Sequence, residues 1–337
     1  MIIDNFDLNK DIMFVAEIGN NHEGNYALAE KMIHLAKDAG ADAVKFQTFK
    51  TEHYVTSKDK DRFNRLKSFE LTYEEFEKLS KVARKRDIVF LSTPFDLESV
   101  EFLNTIVPAF KISSGDNNFY PLLQKVAQTG KPVILSSGLV DLGKIRASKD
   151  FIEDIWKIEG IKQQMAVLHC VSSYPVRDEE ANLGAIEALR RELGCMVGYS
   201  DHTIGTSAAV HAAVLGARII EKHFTIDKKY SDFRDHSLSA DIKSFADMVK
   251  KTKKAVTLIG KREKTVQLSE RAAVNSMRRS VAAKCDLPEG STVSMDNITW
   301  VRPGGGIPPG DEALLLGKKL TAPVNAGEHI LQDMVAN

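Results

Sequence analysis

Short apolar runs alternate with longer amphipathic stretches over most of the chain. The runs at residues 13–17, 43–48, 88–92, 109–113, 132–136, 165–170, 195–200 and 218–223 read as strands. They are nearly continuous in hydrophobicity (VFLS, VILS, AVLHC), which suits parallel strands covered on both faces. The stretches between them carry the helical period. In 25–40 the residues Leu28, Met32, Leu35 and Ala36 fall on one face, and Gly40 supplies a stop. Further helices are expected near 72–86, 97–105, 122–130, 142–159, 183–193, 206–215 and 242–259. Eight successive strand–helix units predict an α/β fold of the (β/α)8 TIM-barrel type. A doubly wound open sheet is the alternative, but no glycine-rich dinucleotide loop follows the first strand.

The alternation stops after Gly260. Residues 263–277 are polar and charged and read as a partly helical linker. From Arg278 onward turn signals are dense: Pro288-Glu-Gly, Arg302-Pro-Gly-Gly-Gly, Pro308-Pro-Gly and Asn325-Ala-Gly. The expected organisation is a barrel domain over 1–262, the linker, and a small β-rich module over 278–337.

Composition narrows the function. Hydrophobic residues make up 43% and charged residues 27%, a normal globular balance. Lysine plus arginine and aspartate plus glutamate both number 46, so no net charge points to nucleic acid or a membrane surface. No apolar run approaches the roughly 20 residues of a membrane span. The first residues lack the basic start and apolar stretch of a secretory signal. Cys170, Cys195 and Cys285 are far apart and odd in number, which fits a reduced, cytoplasmic protein.

Every predicted strand delivers polar groups at or near its C-terminal end, where barrels of this type place their sites. These are Glu17; Lys45 and Gln47; Ser92 and Thr93; Lys111, Ser113 and Ser114; Ser136 and Ser137; His169, Cys170, Ser172 and Tyr174; Ser200, Asp201 and His202; Glu221 and His223. Charges buried in a barrel mouth cost free energy unless they are paired or bind ligand. Lys45 and Lys111, with the hydroxyls of Ser92, Thr93, Ser114, Ser136 and Ser137, suit a ligand carrying phosphate and carboxylate; the other reading pairs these lysines with Glu17 or Glu221. His202 and His223 end adjacent strands and suit a divalent ion such as manganese, although a lone histidine is more often structural. Glu17, Asp116, Asp201, Glu221 and Asp235 are the carboxylates available for proton transfer. Asp201 and Glu221 also fit as groups orienting the histidines, and Asp201 as a helix cap near Thr203. Cys170 has no flag of a nucleophile.

The same residues carry a resemblance. Glu17-Ile-Gly-Asn-Asn-His-Glu-Gly24, Gly40-Ala-Asp-Ala-Val-Lys-Phe-Gln-Thr48, Leu91-Ser-Thr-Pro-Phe95, Lys111-Ile-Ser-Ser-Gly115, His169-Cys170 with Tyr174-Pro175, Gly198-Tyr-Ser-Asp-His-Thr203 and Glu221-Lys-His-Phe-Thr225 resemble the bacterial sialic acid synthase family. That family includes N-acetylneuraminate, legionaminate and pseudaminate synthases. Arg279-Ser-Val-Ala282, Val301-Arg-Pro-Gly304 and Leu316-Gly-Lys-Lys319 resemble its antifreeze-like (SAF) domain.

The resemblance implies condensation of phosphoenolpyruvate with an N-acylated mannosamine-type aldehyde. It also implies a homodimer in which each SAF domain covers the partner's barrel. Lys45, Thr93, Lys111, Ser114, Ser136, Tyr174 and Ser200 become phosphoenolpyruvate contacts. Gln47, Asp116 and Asp235 become sugar contacts, and Arg302 reaches the N-acyl group across the dimer. His202 and His223 hold manganese, with magnesium or cobalt as alternatives, and Glu17 is a catalytic carboxylate. Departures fall near the sugar pocket. The family's SGE is Ser114-Gly-Asp116 here, its threonine–asparagine pair is Val171-Ser172, and residues 228–236 are one residue longer. They favour a 2,4-diacetamido-trideoxyhexose over N-acetylmannosamine and add Ser172 to the pocket. A metal or Schiff-base aldolase acting on a phosphosugar is the competing enzyme, and a carbohydrate- or ice-binding protein the non-enzymatic reading.

Overall fold

The eight predicted strands form one parallel sheet in the computed structural model, which describes residues 1–261 and 263–336. They are β1 (Met13–Gly19), β2 (Ala43–Thr48), β3 (Val89–Pro94), β4 (Phe110–Ile112), β5 (Val133–Ser136), β6 (Met165–Cys170), β7 (Met196–Asp201) and β8 (Ile219–His223). The order β3-β2-β1-β8-β7-β6-β5-β4 is that of a barrel opened between β3 and β4. Those two strands lie side by side and complete the ring.

Local chemistry accounts for the elements. Asn25 caps the helix Tyr26–Asp38 by accepting from the Leu28 N–H, and Leu28, Met32, Ile33 and Ala36 bury its inner face. Thr72 and Glu75 make a capping box for Tyr73–Lys85, and Asp96, Asp141 and Asp241 cap three later helices. Gly40 takes φ +87°, a left-handed turn that an L side chain resists. Outward strand residues such as Phe14, Phe46, Phe90 and Phe110, with Phe224 just past β8, pack under the helices.

Inward residues form a separate lower core: Met13, Val15, Ala43, Leu91, Ala109, Ile134, Ala166, Leu168 and Ile219. Two features here escaped the hydrophobic pattern. A hairpin of Ile2–Ile3 and Phe6–Asp7 closes the barrel's N-terminal end, burying Met1, Ile3 and Leu8 in this core. A Cβ at Gly198 would overlap the Leu168 side chain and the Ile219 carbonyl, so the filled interior itself demands glycine.

Contacts divide the chain after Gly260. In the second unit the stretch after 266 forms a 3-10 helix, Leu268–Ala273, and a short α-helix, Val274–Met277. Strands Ser280–Ala283 and Ile298–Val301 pair antiparallel over a core of Val281, Leu287, Val293, Ile298, Leu315, Leu320, Val324 and Ile330. Trp300 belongs to this packing, its indole N–H donating to Glu312 at 2.8 Å. Arg262, the expected last residue of the barrel domain, and Asn337, the expected end of the module, lie outside the described residues.

Candidate active site

Above the apolar floor the inward positions turn polar two residues further along seven of the eight strands, and on β6 Leu168 gives way to Cys170. Val15 gives way to Glu17, Ala43 to Lys45 and Gln47, Leu91 to Thr93, and Ala109 to Lys111. Ile134 gives way to Ser136, Gly198 to Ser200, and Ile219 to Glu221 and His223. The strand period of two therefore stacks one charged layer on one apolar layer. It opens into a cavity of about 1240 Å³ at the C-terminal ends of the strands.

The floor of the cavity is an ion network. Lys45 Nζ lies 2.8 Å from Glu17 Oε2 and 3.8 Å from Glu221 Oε1, and Lys111 Nζ lies 3.6 Å from the same Glu221 oxygen. Lys111 also donates to Ser136 Oγ at 2.6 Å, and Lys45 to Thr93 Oγ1 at 3.4 Å. Ser200 Oγ donates to Glu221 at 2.9 Å, and Gln47 Nε2 to Glu17 Oε1 at 3.1 Å. All four charged groups are buried. Burial pushes Glu17 up despite Lys45 and lowers Lys111, whereas the two lysines overcome burial at Glu221 and hold it down. Both ammonium groups thus share Glu221, and an incoming dianion can take over their hydrogen bonds.

The histidines flank this network. The His202 and His223 rings are 5.4 Å apart, and the Tyr174 ring lies 4.2 Å from His202. His202 Nδ1 lies 2.8 Å from the Val171 carbonyl, so that nitrogen carries a hydrogen; burial lowers the imidazole, but the Cys170 and Val171 contacts and Glu221 outweigh it and the net direction is up. Burial and neighbouring positive groups hold His223 far below its ordinary value, and its buried Nδ1 has no partner among the described residues. Cys170 Sγ lies 3.8 Å from His202 Nδ1. Burial pushes the Cys170 thiol up, but His202, Ser114 and Lys111 together outweigh it and the net direction is down, a feature the sequence does not flag.

Ser114, Asp116, Ser172 and Asp235 also line the cavity. Asp116 accepts from Ser113 Oγ at 2.6 Å, and burial raises its carboxyl. Asp235 accepts from Arg234, whose guanidinium sits 4.8 Å over the Tyr174 ring. Arg302 belongs to the C-terminal unit, where its Nε donates to the Met277 carbonyl at 2.9 Å.

Four expectations need correction. Ser92 faces outward and bonds Thr48 at 2.7 Å, and Ser137 donates to the Leu168 carbonyl, so neither hydroxyl lines the cavity. Glu221 serves the lysines rather than the histidines. Asp201 faces away from the cavity, so it neither transfers protons there nor caps a helix: it accepts from Thr203 and pairs with Lys222 at 3.0 Å, while the nearest helix begins at Ser207. A further helix, Lys60–Phe69, absent from the expected strand–helix units, brings Arg62, Arg65, Leu66 and Phe69 to the cavity mouth. Its signal is the charged run from Lys58 to Lys67, capped by Asp59, in the segment between β2 and the helix Tyr73–Lys85.

Comparison with known proteins agrees with the motifs. The chain is 37% identical to N,N'-diacetyllegionaminic acid synthase of Campylobacter jejuni over 93% of this chain and 96% of that one. It is 44% identical to an uncharacterized protein of Methanocaldococcus jannaschii over 91% of this chain and 89% of that one. The crystal structure of N-acetylneuraminic acid (sialic acid) synthetase from Leptospira borgpetersenii superposes with a TM-score of 0.76 at 34% identity, covering 81% of this chain and 94% of that one. The SAF domain profile matches residues 278–336 and that of the NeuB family residues 32–264. This chain belongs to the NeuB family: it is a sialic-acid-type synthase built as a TIM barrel followed by a SAF domain.

Proposed function

We propose that the protein condenses phosphoenolpyruvate with an open-chain N-acylated mannosamine-type sugar and water, giving a nine-carbon 2-keto sugar acid and phosphate. The observation that carries this reading is the buried pair Lys45 and Lys111 sharing Glu221, with two imidazoles alongside. Two ammonium groups ringed by Thr93, Ser136 and Ser200 suit the phosphate and carboxylate of one small ligand. Ser114 and Tyr174 extend that ligand shell, and Gln47, Asp116, Ser172 and Asp235 line the remaining volume for the sugar.

His202 and His223 fit a divalent ion, manganese first and magnesium or cobalt as alternatives. His202 has its Nδ1 committed to a carbonyl, which leaves Nε2 as the atom to meet a metal, and His223 is held neutral with its Nδ1 unpartnered among the described residues. Held by His202 and His223, such an ion would supply a Lewis acid for the sugar's aldehyde oxygen. C3 of phosphoenolpyruvate bonds to that carbon, C2 becomes electron-poor and takes up water, and the resulting intermediate collapses with release of phosphate. Lys45 and Lys111 hold the anionic groups through these steps, and Glu17 orients the water and accepts its proton.

The mouth supports the 2,4-diacetamido-2,4,6-trideoxymannose acceptor. Tyr54, Leu66, Phe69, Phe95 and Phe233 present apolar surface to a deoxy, doubly acylated sugar. In this reading the enzyme is a cytoplasmic homodimer with the SAF domain over the partner's barrel and Arg302 at the N-acyl group. Among the described residues no helix is long and apolar enough to cross a membrane.

Incubation with phosphoenolpyruvate, manganese and each candidate hexosamine tests the proposal. Sugar-dependent phosphate release with a nine-carbon keto acid is expected. Phosphate release with none of them refutes it, and borohydride trapping on Lys45 or Lys111 would favour the aldolase. For Glu17→Gln we expect kcat to fall by about 10²–10⁴. Because burial raises Glu17 and the base works deprotonated, activity should climb with pH through a limb above the ordinary 4.5, and that limb should vanish in the variant. Near-normal kcat in Glu17→Gln removes the residue from the chemistry.

A further inference from the structure

Behind the two imidazoles lies a buried ion pair that the proposed chemistry does not use. Asp201 and Lys222 are cross-strand partners on β7 and β8 and have no exposed side-chain surface. Each immediately precedes a histidine, His202 or His223. Successive strand residues point to opposite faces, so the pair faces the helices while the imidazoles face the cavity.

The pair does more than neutralise charge. Lys222 Nζ lies 3.0 Å from Asp201 Oδ2 and donates to the Thr203 carbonyl at 2.5 Å. Asp201 Oδ1 accepts from the Thr203 N–H and hydroxyl, each at 2.8 Å, and from Tyr199 at 3.2 Å. His202 is therefore bracketed: the residues before and after it are both tied to Lys222. The β7–β8 ladder runs through Ile220–Tyr199, Glu221–Ser200 and Lys222–Asp201, and the ion pair is its last rung. Beyond that rung no ladder bond holds His202 against His223.

We infer that Asp201 and Lys222 are positioning residues that set the spacing of His202 and His223 for the metal. A buried ion pair is rarely the most stable filling of such a space, and an apolar pair of similar volume often serves stability as well or better. Groups behind metal-ligating histidines typically tune affinity about 10–100-fold. The inference rests on the metal reading given above.

The test is manganese titration of the full chain, with phosphoenolpyruvate binding measured in parallel. Asp201→Asn/Lys222→Met removes both charges together and leaves no lone buried ion. We expect this double variant to stay folded, to bind manganese at least tenfold more weakly, and to keep its phosphoenolpyruvate affinity. A folded double variant with unchanged manganese affinity overturns the inference while leaving the metal site in place. Wild-type protein that binds no manganese overturns the metal reading and the inference with it. If the double variant does not fold, Tyr199→Phe decides, since it removes one donor to Asp201 and keeps the ring. A several-fold loss of manganese affinity there supports the clamp, and no change refutes it.

Discussion

His223→Ala is expected to lose tight manganese binding and to lower kcat/KM by about 10³ or more. His223 ends β8 inside the cavity, buried and neutral, with its Nδ1 unpartnered among the described residues. A buried imidazole without hydrogen bonds is costly unless something else takes its lone pair. His202 alone would leave one protein ligand, too few to hold a divalent ion in place. Polarisation of a carbonyl contributes several kcal/mol, and each 1.36 kcal/mol is tenfold in rate. A manganese titration with a phosphate-release assay measures both effects. Tight manganese binding by the variant would refute the ligand assignment. The apoprotein should stay folded, because truncating His223 removes no hydrogen bond from the barrel.

Lys111→Met is expected to fail differently, through stability as well as binding. Lys111 is one of two cations facing Glu221, and its removal leaves that carboxylate with Lys45 at 3.8 Å. Breaking a buried pair costs about 3–5 kcal/mol. The surviving lysine and the Ser200 hydroxyl put this case near the lower figure. Phosphoenolpyruvate should bind at least 10²-fold more weakly, since charged hydrogen bonds in a desolvated site go with the ammonium. Lys111→Met/Glu221→Gln separates the two effects. It should recover most of the stability and none of the affinity. A single variant as stable as wild type would mean that Glu221 is satisfied without Lys111. Unchanged phosphoenolpyruvate affinity would remove Lys111 from the anion site.

The pH dependence of stability has a matching sign. The lysines hold Glu221 below its ordinary value in the folded state. Its share of stability is therefore fully present above the unfolded value and is lost as pH falls through the folded one. Glu17, raised by burial, acts oppositely, its penalty fading as it protonates in acid. Acid unfolding monitored in wild type and Glu221→Gln should show a steeper loss in the wild type.

The eight strands, their helices and the break after Gly260 were legible in the sequence, because they depend on local periodicity and stop signals. Glu17, Lys45, Lys111, Ser200, His202, Glu221 and His223 were legible for the same reason: polar residues at the ends of apolar strands stand out against the cost of burying them. Even the outward turn of Ser92 was within reach, since it alternates with Leu91 and Thr93 on one strand. The tertiary structure alone decided which of these groups meet. That Glu221 lies between two lysines rather than behind the histidines depends on β8 pairing with its chain neighbour β7 on one side and closing against β1, some two hundred residues away in the chain, on the other. The seat of the mouth helix Lys60–Phe69 at the cavity, the docking of the hairpin Ile2–Ile3 and Phe6–Asp7 under the barrel and the Asp201–Lys222 pair were likewise settled by packing between elements. Period two states which side chains share a face, but only the closed ring determines which strand stands beside it and so which charges neutralise one another.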